Sequence, residues 1–128
     1  MIELHNVVKR YGSKTIIHNI SFDVKKGEIV GFLGPNGAGK TTTMRMIAGF
    51  TEATSGTVKV AGFDMASQRD QAATRLGYLP ESPPLYDILD VTSYLTFVAR
   101  AKGVPTARIQ QNLDRVISAC RLEAVTTK

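Results

Sequence analysis

The chain has 128 residues, of which 43% are hydrophobic and 21% are charged, and it carries a net charge of +5. This composition is typical of one globular domain or of part of a larger one. The sequence contains no run of about 18 apolar residues, which excludes an encoded membrane-spanning helix. Its first residues also lack the basic and apolar regions of a signal peptide.

The cysteine and the basic residues indicate the compartment and the kind of ligand that suit this protein. The single Cys120 cannot form an internal disulfide, which is compatible with a reducing compartment. Its phase with Leu113 and Ile117 predicts a thiol packed in the core of a helical unit. The basic residues are scattered, without an aromatic-interleaved patch, so an anionic ligand or surface fits the charge and nucleic acid is not expected.

Two strands joined by a short turn are predicted at the start of the chain. Residues 2–8 alternate between apolar and polar side chains at several positions, and a second strand is predicted over 15–24. The intervening residues 9–14 contain Gly12 and predict a turn. The pair therefore predicts an antiparallel ribbon, with these residues facing inward on its second strand: Ile16, Ile20, Phe22 and Val24.

A glycine-rich motif follows an apolar run. Residues 28–33 predict a buried strand, and residues 34–41 (Gly-Pro-Asn-Gly-Ala-Gly-Lys-Thr) fit G-x-x-x-x-G-K-[ST], the phosphate-binding P-loop. Residues 42–48 predict a short helix that ends before Gly49. Glycines let backbone N–H groups form an anion nest, and the start of a helix adds donors and the positive end of its dipole.

This motif predicts specific roles for two side chains. The Lys40 ammonium is expected to reach the β- and γ-phosphates of a nucleotide, and the Thr41 hydroxyl to ligate Mg²⁺. A plain connecting loop is the alternative, but the flanking strand and helix favour the phosphate site. A P-loop after a buried strand also implies a parallel α/β sheet.

Alternating strands and amphipathic helices are predicted further along. A polar loop over 51–56 precedes a strand over 57–61, which Gly62 ends, then a helix over 67–75 and a strand over 76–79. The paired prolines within 81–87 predict a loop. Asp90 follows only two apolar residues, so it is interpreted as part of a helix entry.

The C-terminal part is predicted to be helical. A helix is expected over 92–102, with Tyr94, Leu95, Val98 and Ala101 on one face. Gly103 and Pro105 break it, and Thr106 is the expected N-cap of a second helix. The apolar stripe of that second helix comprises Ile109, Leu113, Val116, Ile117 and Cys120.

The ordered set of motifs resembles the N-terminal part of an ABC transporter ATP-binding subunit. Lys9-Arg-Tyr11-Gly12 is similar to the aromatic A-loop, and residues 24–42 are similar to the family's strand and Walker A region. Residues 54–62 resemble the segment after the P-loop helix. Gly77-Tyr-Leu-Pro-Glu81 lies where the family places its Q-loop.

The resemblance implies a fold and a site. The expected fold is an α/β P-loop NTPase with an N-terminal antiparallel β ribbon and a C-terminal helical part, a truncated ABC ATPase domain over residues 1–128. Tyr11 would stack on adenine, although a half-buried packing role is the ordinary alternative for such a tyrosine. The implied nucleotide-binding set is Tyr11, Gly34, Pro35, Asn36, Gly37, Ala38, Gly39, Lys40, Thr41 and Thr42, with Thr41 and Glu81 as Mg²⁺ ligands.

Glu81 departs from the most common family pattern, which has glutamine at this position. Glutamate occurs in branches that resemble exporters with an ABC-2-type membrane partner, and a carboxylate is a good ligand for a hard cation. The alternative is a solvated acid in a loop. The substitution leaves open what replaces a neutral amide near the γ-phosphate.

Several family motifs do not occur in these residues. No Walker B aspartate, catalytic glutamate or signature motif is found, and His5 and His18 both precede the P-loop, where a switch histidine cannot lie. We therefore interpret the sequence as a fragment. No residue within it is predicted to be catalytic, and the fragment alone is expected not to hydrolyse ATP.

The resemblance implies an ATP- and Mg²⁺-dependent ATPase that powers transport. The implied partners are a second ATP-binding subunit and a transmembrane permease, and the implied location is the cytoplasmic face of the cell membrane. A soluble ABC ATPase in translation or DNA maintenance is an alternative. A non-ABC P-loop kinase or GTPase fits less well, since no Asn-Lys-x-Asp motif occurs. Cargo and direction stay open, with Glu81 favouring export.

Overall fold

A computed structural model describes residues 1–83 and 85–126. The chain divides into two compact units, Met1–Tyr78 and Leu79–Lys128, which are described separately. Pro84, which is part of the predicted paired-proline loop, lies outside the described residues.

The first unit is built on one antiparallel sheet. Strands β1 (Ile2–Tyr11) and β2 (Lys14–Val24) form the predicted ribbon, and β3 (Ser55–Val60) and β4 (Phe63–Asp64) extend it in the order β2-β1-β3-β4. The predicted turn is shorter than expected, because residues 9–11 belong to β1. Ala61 and Gly62 both have positive φ (52° and 84°), as a tight two-residue hairpin turn requires.

The apolar alternation shifts along both strands of the ribbon. Asn6 and Asn19 have left-handed backbones (φ 49° and 54°), and the β1–β2 register changes between Leu4 and Val7. Such an irregularity re-aims the side chains that follow it. As a result Ile17 is 3% exposed, whereas the residues predicted to face inward on β2 are half-buried. The predicted inward set was therefore wrong in omitting Ile17.

Two helices cover one side of this sheet. Helix α1 (Lys40–Ile47) begins two residues earlier than predicted, and α2 (Arg69–Ala73) is shorter than the predicted helix over 67–75, because Asp64 binds Ser67 in a preceding turn. A single cluster of buried side chains forms the core: Leu4, Val7, Ile17, Met46, Ile47, Val58, Val60, Met65 and Ala72.

The strands predicted over 28–33 and 76–79 are not formed. Ile29 and Leu33 are 101% and 93% exposed, and among the described residues every strand pair is antiparallel. A buried parallel strand requires neighbouring strands and covering helices, and β1–β4 pair only with one another. An apolar cavity of about 220 Å³ lies beside this segment, and Val30, Phe32, Phe22, Met44 and Ile47 contribute to its walls.

The second unit contains a helix pair. Helices α3 (Val91–Ala101) and α4 (Thr106–Ala119) are followed by a 3₁₀ turn at Glu123–Val125. Asp90 caps α3 by accepting a 2.7 Å hydrogen bond from the Ser93 N–H, which confirms its interpretation as a helix entry. The predicted N-cap of α4 was wrong by one residue: Pro105 takes that position, without a side-chain cap.

Two predictions for the apolar faces of these helices were also wrong. Ala101 is exposed, while Tyr94, Leu95 and Val98 are half-buried. Cys120 is exposed rather than packed in a core, because α4 ends at Ala119 and the cysteine is its C-cap, outside the helical phase. Within the described ranges, none of the helices has the length and apolar character needed to cross a membrane.

Candidate phosphate-binding site

The loop before α1 takes the backbone conformation that a glycine-rich motif permits. Gly37 and Gly39 have φ of 83° and 90°, in the left-handed region that glycine adopts without strain. The Ala38 N–H donates to the Pro35 carbonyl at 3.2 Å, which closes a turn inside the loop. Gly34, Pro35, Asn36, Gly37 and Ala38 are exposed, so this turn presents its backbone to solvent.

Gly39 is the residue at which the loop packs against β2. A Cβ at this position would lie 2.3 Å from the Ile17 Cδ1 and 3.3 Å from the Ile16 carbonyl oxygen. Because Ile17 belongs to the buried core, a side chain here would press on packed atoms. Glycine thus allows the end of the loop to rest directly on the ribbon.

The backbone N–H groups in the first turn of helix α1 are not capped by a side chain. Gly39 is its N-cap and supplies no side-chain hydrogen bond, and the first turn contains no acidic residue. The buried Thr43 instead bonds backwards, its N–H and its hydroxyl both donating to the Gly39 carbonyl at 2.8 Å and 3.0 Å. The first-turn N–H groups and the helix dipole therefore favour an anion at this end.

The Lys40 side chain folds back over the loop. Its Nζ donates to the carbonyl oxygens of Gly34 and Pro35 at 2.6 Å and 2.7 Å. Both bonds hold a positive charge above the loop backbone, next to the amino end of α1. Thr41 is exposed and Thr42 is half-buried in the first turn of that helix.

Tyr11 lies at the end of the ribbon, near the point where Gly39 packs against β2. It pairs with Lys14 across the turn and is 53% exposed. Lys14 and Ile16 are two residues apart, a separation of roughly 7 Å along a strand. The carbonyl of Ile16 faces Gly39. The Lys9 Nζ lies 4.8 Å from the Tyr11 ring centroid. The ring therefore presents a large open surface on the same end of the unit as the loop.

Glu81 belongs to the second unit, where it is exposed in the segment before α3. The structure therefore brings together the predicted residues from Tyr11 to Thr42 in one unit and places Glu81 in the other. In the part of the chain that is described, no group of three His, Cys, Asp or Glu residues could hold a metal ion.

Two residues of this site were missed by sequence reasoning. Lys9 is two positions before Tyr11, so the alternation of a strand places both side chains on one face, a signal that was available. Thr43 carried no such signal, because a threonine within a helix ordinarily bonds to the carbonyl four residues earlier without any special role.

Known proteins resemble the chain along nearly its whole length. The ABC transporter family profile matches residues 17–127. A Nod factor export ATP-binding protein I from Ralstonia nicotianae is 35% identical over 123 residues, which cover 96% of this chain and 38% of that protein. A spermidine/putrescine import ATP-binding protein PotA from Rubrobacter xylanophilus is 41% identical over 121 residues, 94% of this chain and 31% of that protein.

A solved structure shows the same fold. The ATP-binding subunit of an ABC transporter superposes with a TM-score of 0.89 at 29% identity, over 99% of this chain and 53% of that one. The chain spans 38% of the length of the Ralstonia relative, so it corresponds to part of such a protein. The family match, together with the P-loop geometry, shows that this chain belongs to the ABC transporter family, as part of an ATP-binding domain.

Proposed function

We propose that this chain binds ATP with Mg²⁺ through residues 34–42 and belongs to an ATPase that powers transport through a membrane partner. One observation carries the proposal: the uncapped amino end of α1 follows two left-handed glycines, with the Lys40 ammonium held beside it. This arrangement offers N–H donors and a positive charge to a polyphosphate.

Each residue of the loop has a separate task in this proposal. Lys40 exchanges its two carbonyl acceptors for oxygens of the β- and γ-phosphates, which stabilises their charge in the ground state and during phosphoryl transfer. Gly34, Pro35, Asn36, Gly37, Ala38 and Gly39 form the backbone cradle. The N–H groups of Thr41 and Thr42 complete it from the first turn of the helix.

The residues fit Mg²⁺ only in company with a nucleotide. The exposed Thr41 hydroxyl is one hard oxygen ligand, and Glu81 is a proposed second. Mg²⁺ requires octahedral oxygen coordination and is ordinarily held by one or two protein ligands, water and substrate phosphates. When bound, the ion would neutralise charge on the phosphate oxygens, while Thr41 would orient it.

Tyr11 is proposed to carry the adenine. Its exposed ring at the end of the ribbon offers a π-surface for stacking on a base. The alternative is a packing role, which a half-exposed tyrosine also fills. Tyr11 lies near the point where Gly39 packs against β2, which supports adenine stacking. The protein must contact the base and the phosphates of one nucleotide at the same time.

The transport role is supported by the relatives. Proteins named for export and for import both match at more than a third identity, so we propose transport without a direction. We further propose that a second ATP-binding subunit completes each site, that a permease contacts the region from Glu81 to the start of α3, and that the assembly lies at the cytoplasmic face of the membrane.

The decisive experiment compares Lys40→Ala with Lys26→Ala in ATP titrations. Both changes remove one lysine charge, but Lys26 lies in the exposed turn before the apolar segment. We expect Lys40→Ala to weaken ATP binding at least tenfold and Lys26→Ala to leave it nearly unchanged. Equal affinity of the Lys40→Ala variant and the wild type would contradict the phosphate role.

A separate experiment tests the transport role. The tagged protein is purified from detergent-solubilised cells and its partners are identified by mass spectrometry. Recovery of a polytopic membrane protein supports transport. Recovery of ribosomal or DNA-bound proteins alone would favour the soluble ABC ATPase instead.

A further inference from the structure

We propose that Lys9 is a positioning residue for the nucleotide base: its ammonium holds the Tyr11 ring from one side and leaves the other side for adenine. The inference rests on the proposed function of Tyr11.

The geometry places a cation against the ring. The Lys9 Nζ is 4.8 Å from the centroid of Tyr11, within the distance at which an ammonium is attracted to an aromatic face. Lys9 and Tyr11 are two residues apart on β1. The β1–β2 register shifts between Lys9 and Arg10, and the ammonium nevertheless lies over the ring.

A hydrogen bond also holds the ammonium. The Lys9 Nζ donates to the Glu52 carbonyl oxygen at 2.7 Å, and Lys9 is half-buried despite its charge. Glu52 lies in the loop that connects α1 to β3. The ring of Tyr11 is thus linked, through one lysine, to the chain that leaves the helix of the phosphate loop.

This arrangement has two consequences for a bound base. Because the ammonium lies over one face of the Tyr11 ring, a base can stack only on the opposite face. Because the ring is already restrained, less side-chain freedom is lost when the base binds. Lys9 would therefore raise affinity for adenine nucleotides without touching the nucleotide.

Lys14 provides a matched control. It is the cross-strand partner of Tyr11 and carries the same charge at the same end of the ribbon. Among the described residues, the ammonium recorded over the Tyr11 ring is that of Lys9. Lys9→Met and Lys14→Met therefore each remove one positive charge from this end of the ribbon, but only the first removes the contact with the ring.

The binding experiment compares ATP with inorganic tripolyphosphate, which has no base. We expect Lys9→Met to weaken ATP binding about two- to fivefold more than Lys14→Met does, the range that an exposed cation–π contact supplies. Binding of tripolyphosphate should fall equally in both variants. Lys9→Arg, which retains a cation, should restore ATP affinity.

A second measurement needs no nucleotide. The sequence contains no tryptophan, so Tyr11→Trp introduces a single indole as a fluorescent reporter. In that background, Lys9→Met should lower the fluorescence anisotropy of the indole because the ring moves more freely, whereas Lys14→Met should not. Circular dichroism of each variant confirms that the ribbon is folded.

The outcomes separate this inference from the proposed function. If the wild type binds tripolyphosphate and ATP equally, the adenine role of Tyr11 fails, while the anisotropy still tests whether Lys9 restrains the ring. If ATP is preferred but Lys9→Met and Lys14→Met behave alike in both measurements, Lys9 is not a positioning residue.

Discussion

Gly37 and Gly39 differ in what surrounds them, although both have left-handed backbones. A Cβ at Gly39 would meet Ile17 and the Ile16 carbonyl, whereas a Cβ at Gly37 would meet no atom within 4 Å. Conformational strain is therefore common to both positions. Steric conflict with the ribbon is specific to Gly39.

Substitution by alanine should separate these two effects. Gly37→Ala is expected to lower the free energy of unfolding by about 1–2 kcal/mol through backbone strain alone. Gly39→Ala should cost roughly 1–3 kcal/mol more, because it also overpacks the contact with β2. Urea denaturation of both variants measures the difference, and equal losses would show that the loop does not rest on the ribbon.

Tyr11 gives a second test at the level of one side chain. Tyr11→Ala should weaken ATP binding by about 1–3 kcal/mol, the range for stacking of a base on an aromatic residue. Tyr11→Trp should largely preserve it, since the indole offers a similar surface. If the alanine and tryptophan variants bind ATP alike in titrations, Tyr11 serves only in packing.

Among the elements, the turn between β4 and α2 is stabilised by one carboxylate. Asp64 accepts hydrogen bonds from the N–H groups of Ala66 and Ser67 at 2.9 Å and 3.1 Å and from the Ser67 hydroxyl at 3.2 Å. Partial burial acts to raise the pKa of Asp64. These hydrogen bonds and the charge of Lys59 outweigh it and lower the pKa below its ordinary value of 3.8.

This pKa shift predicts a pH dependence of folding. Since the folded-state pKa is depressed, the contribution of Asp64 to stability is present above pH 3.8 and is lost as the pH falls through the folded-state value. Asp64→Asn should flatten the acid limb of the unfolding free energy, and Ser67→Ala should do so in part. An unchanged acid limb in Asp64→Asn would contradict the role of this carboxylate.

The elements also show which parts of the fold local sequence could predict. The ribbon, the P-loop helix and the helix pair depend on patterns within each segment, and all three were predicted. The strand expected over 28–33 depends instead on neighbouring strands, which a single segment does not encode. Ile17 was missed because the left-handed backbone of Asn19 shifts the alternation of inward and outward side chains along β2. An asparagine in the sequence does not by itself predict such an irregularity.

The candidate site was predictable to a similar degree. Residues 34–42 follow a motif whose glycines precede the start of a helix, so the position of the loop could be predicted, and its nucleotide contacts stay a prediction. Lys9 and Tyr11 lie two residues apart on β1, so strand alternation could have indicated their contact. The hydrogen bond from Lys9 to the Glu52 carbonyl joins segments far apart in sequence, and a pattern within either segment does not reveal it.

For the whole molecule, we expect that residues 1–128 alone do not turn over ATP. Phosphoryl transfer needs a held Mg²⁺, a positioned water and stabilisation of the transition-state charge. These residues include Lys40, Thr41 and Glu81, which we propose for phosphate and Mg²⁺, but no Walker B aspartate or catalytic glutamate. Phosphate release is measured beside the Lys40→Ala variant, and steady release that requires Lys40 would overturn this expectation.

The exposed thiol of Cys120 makes this molecule convenient for spectroscopy. It is the only cysteine in the sequence and lies in the second unit, at the carboxyl end of α4. A maleimide dye would therefore attach at one defined position without mutagenesis. The fluorescence of that dye would report on the carboxyl end of α4 as nucleotide is added.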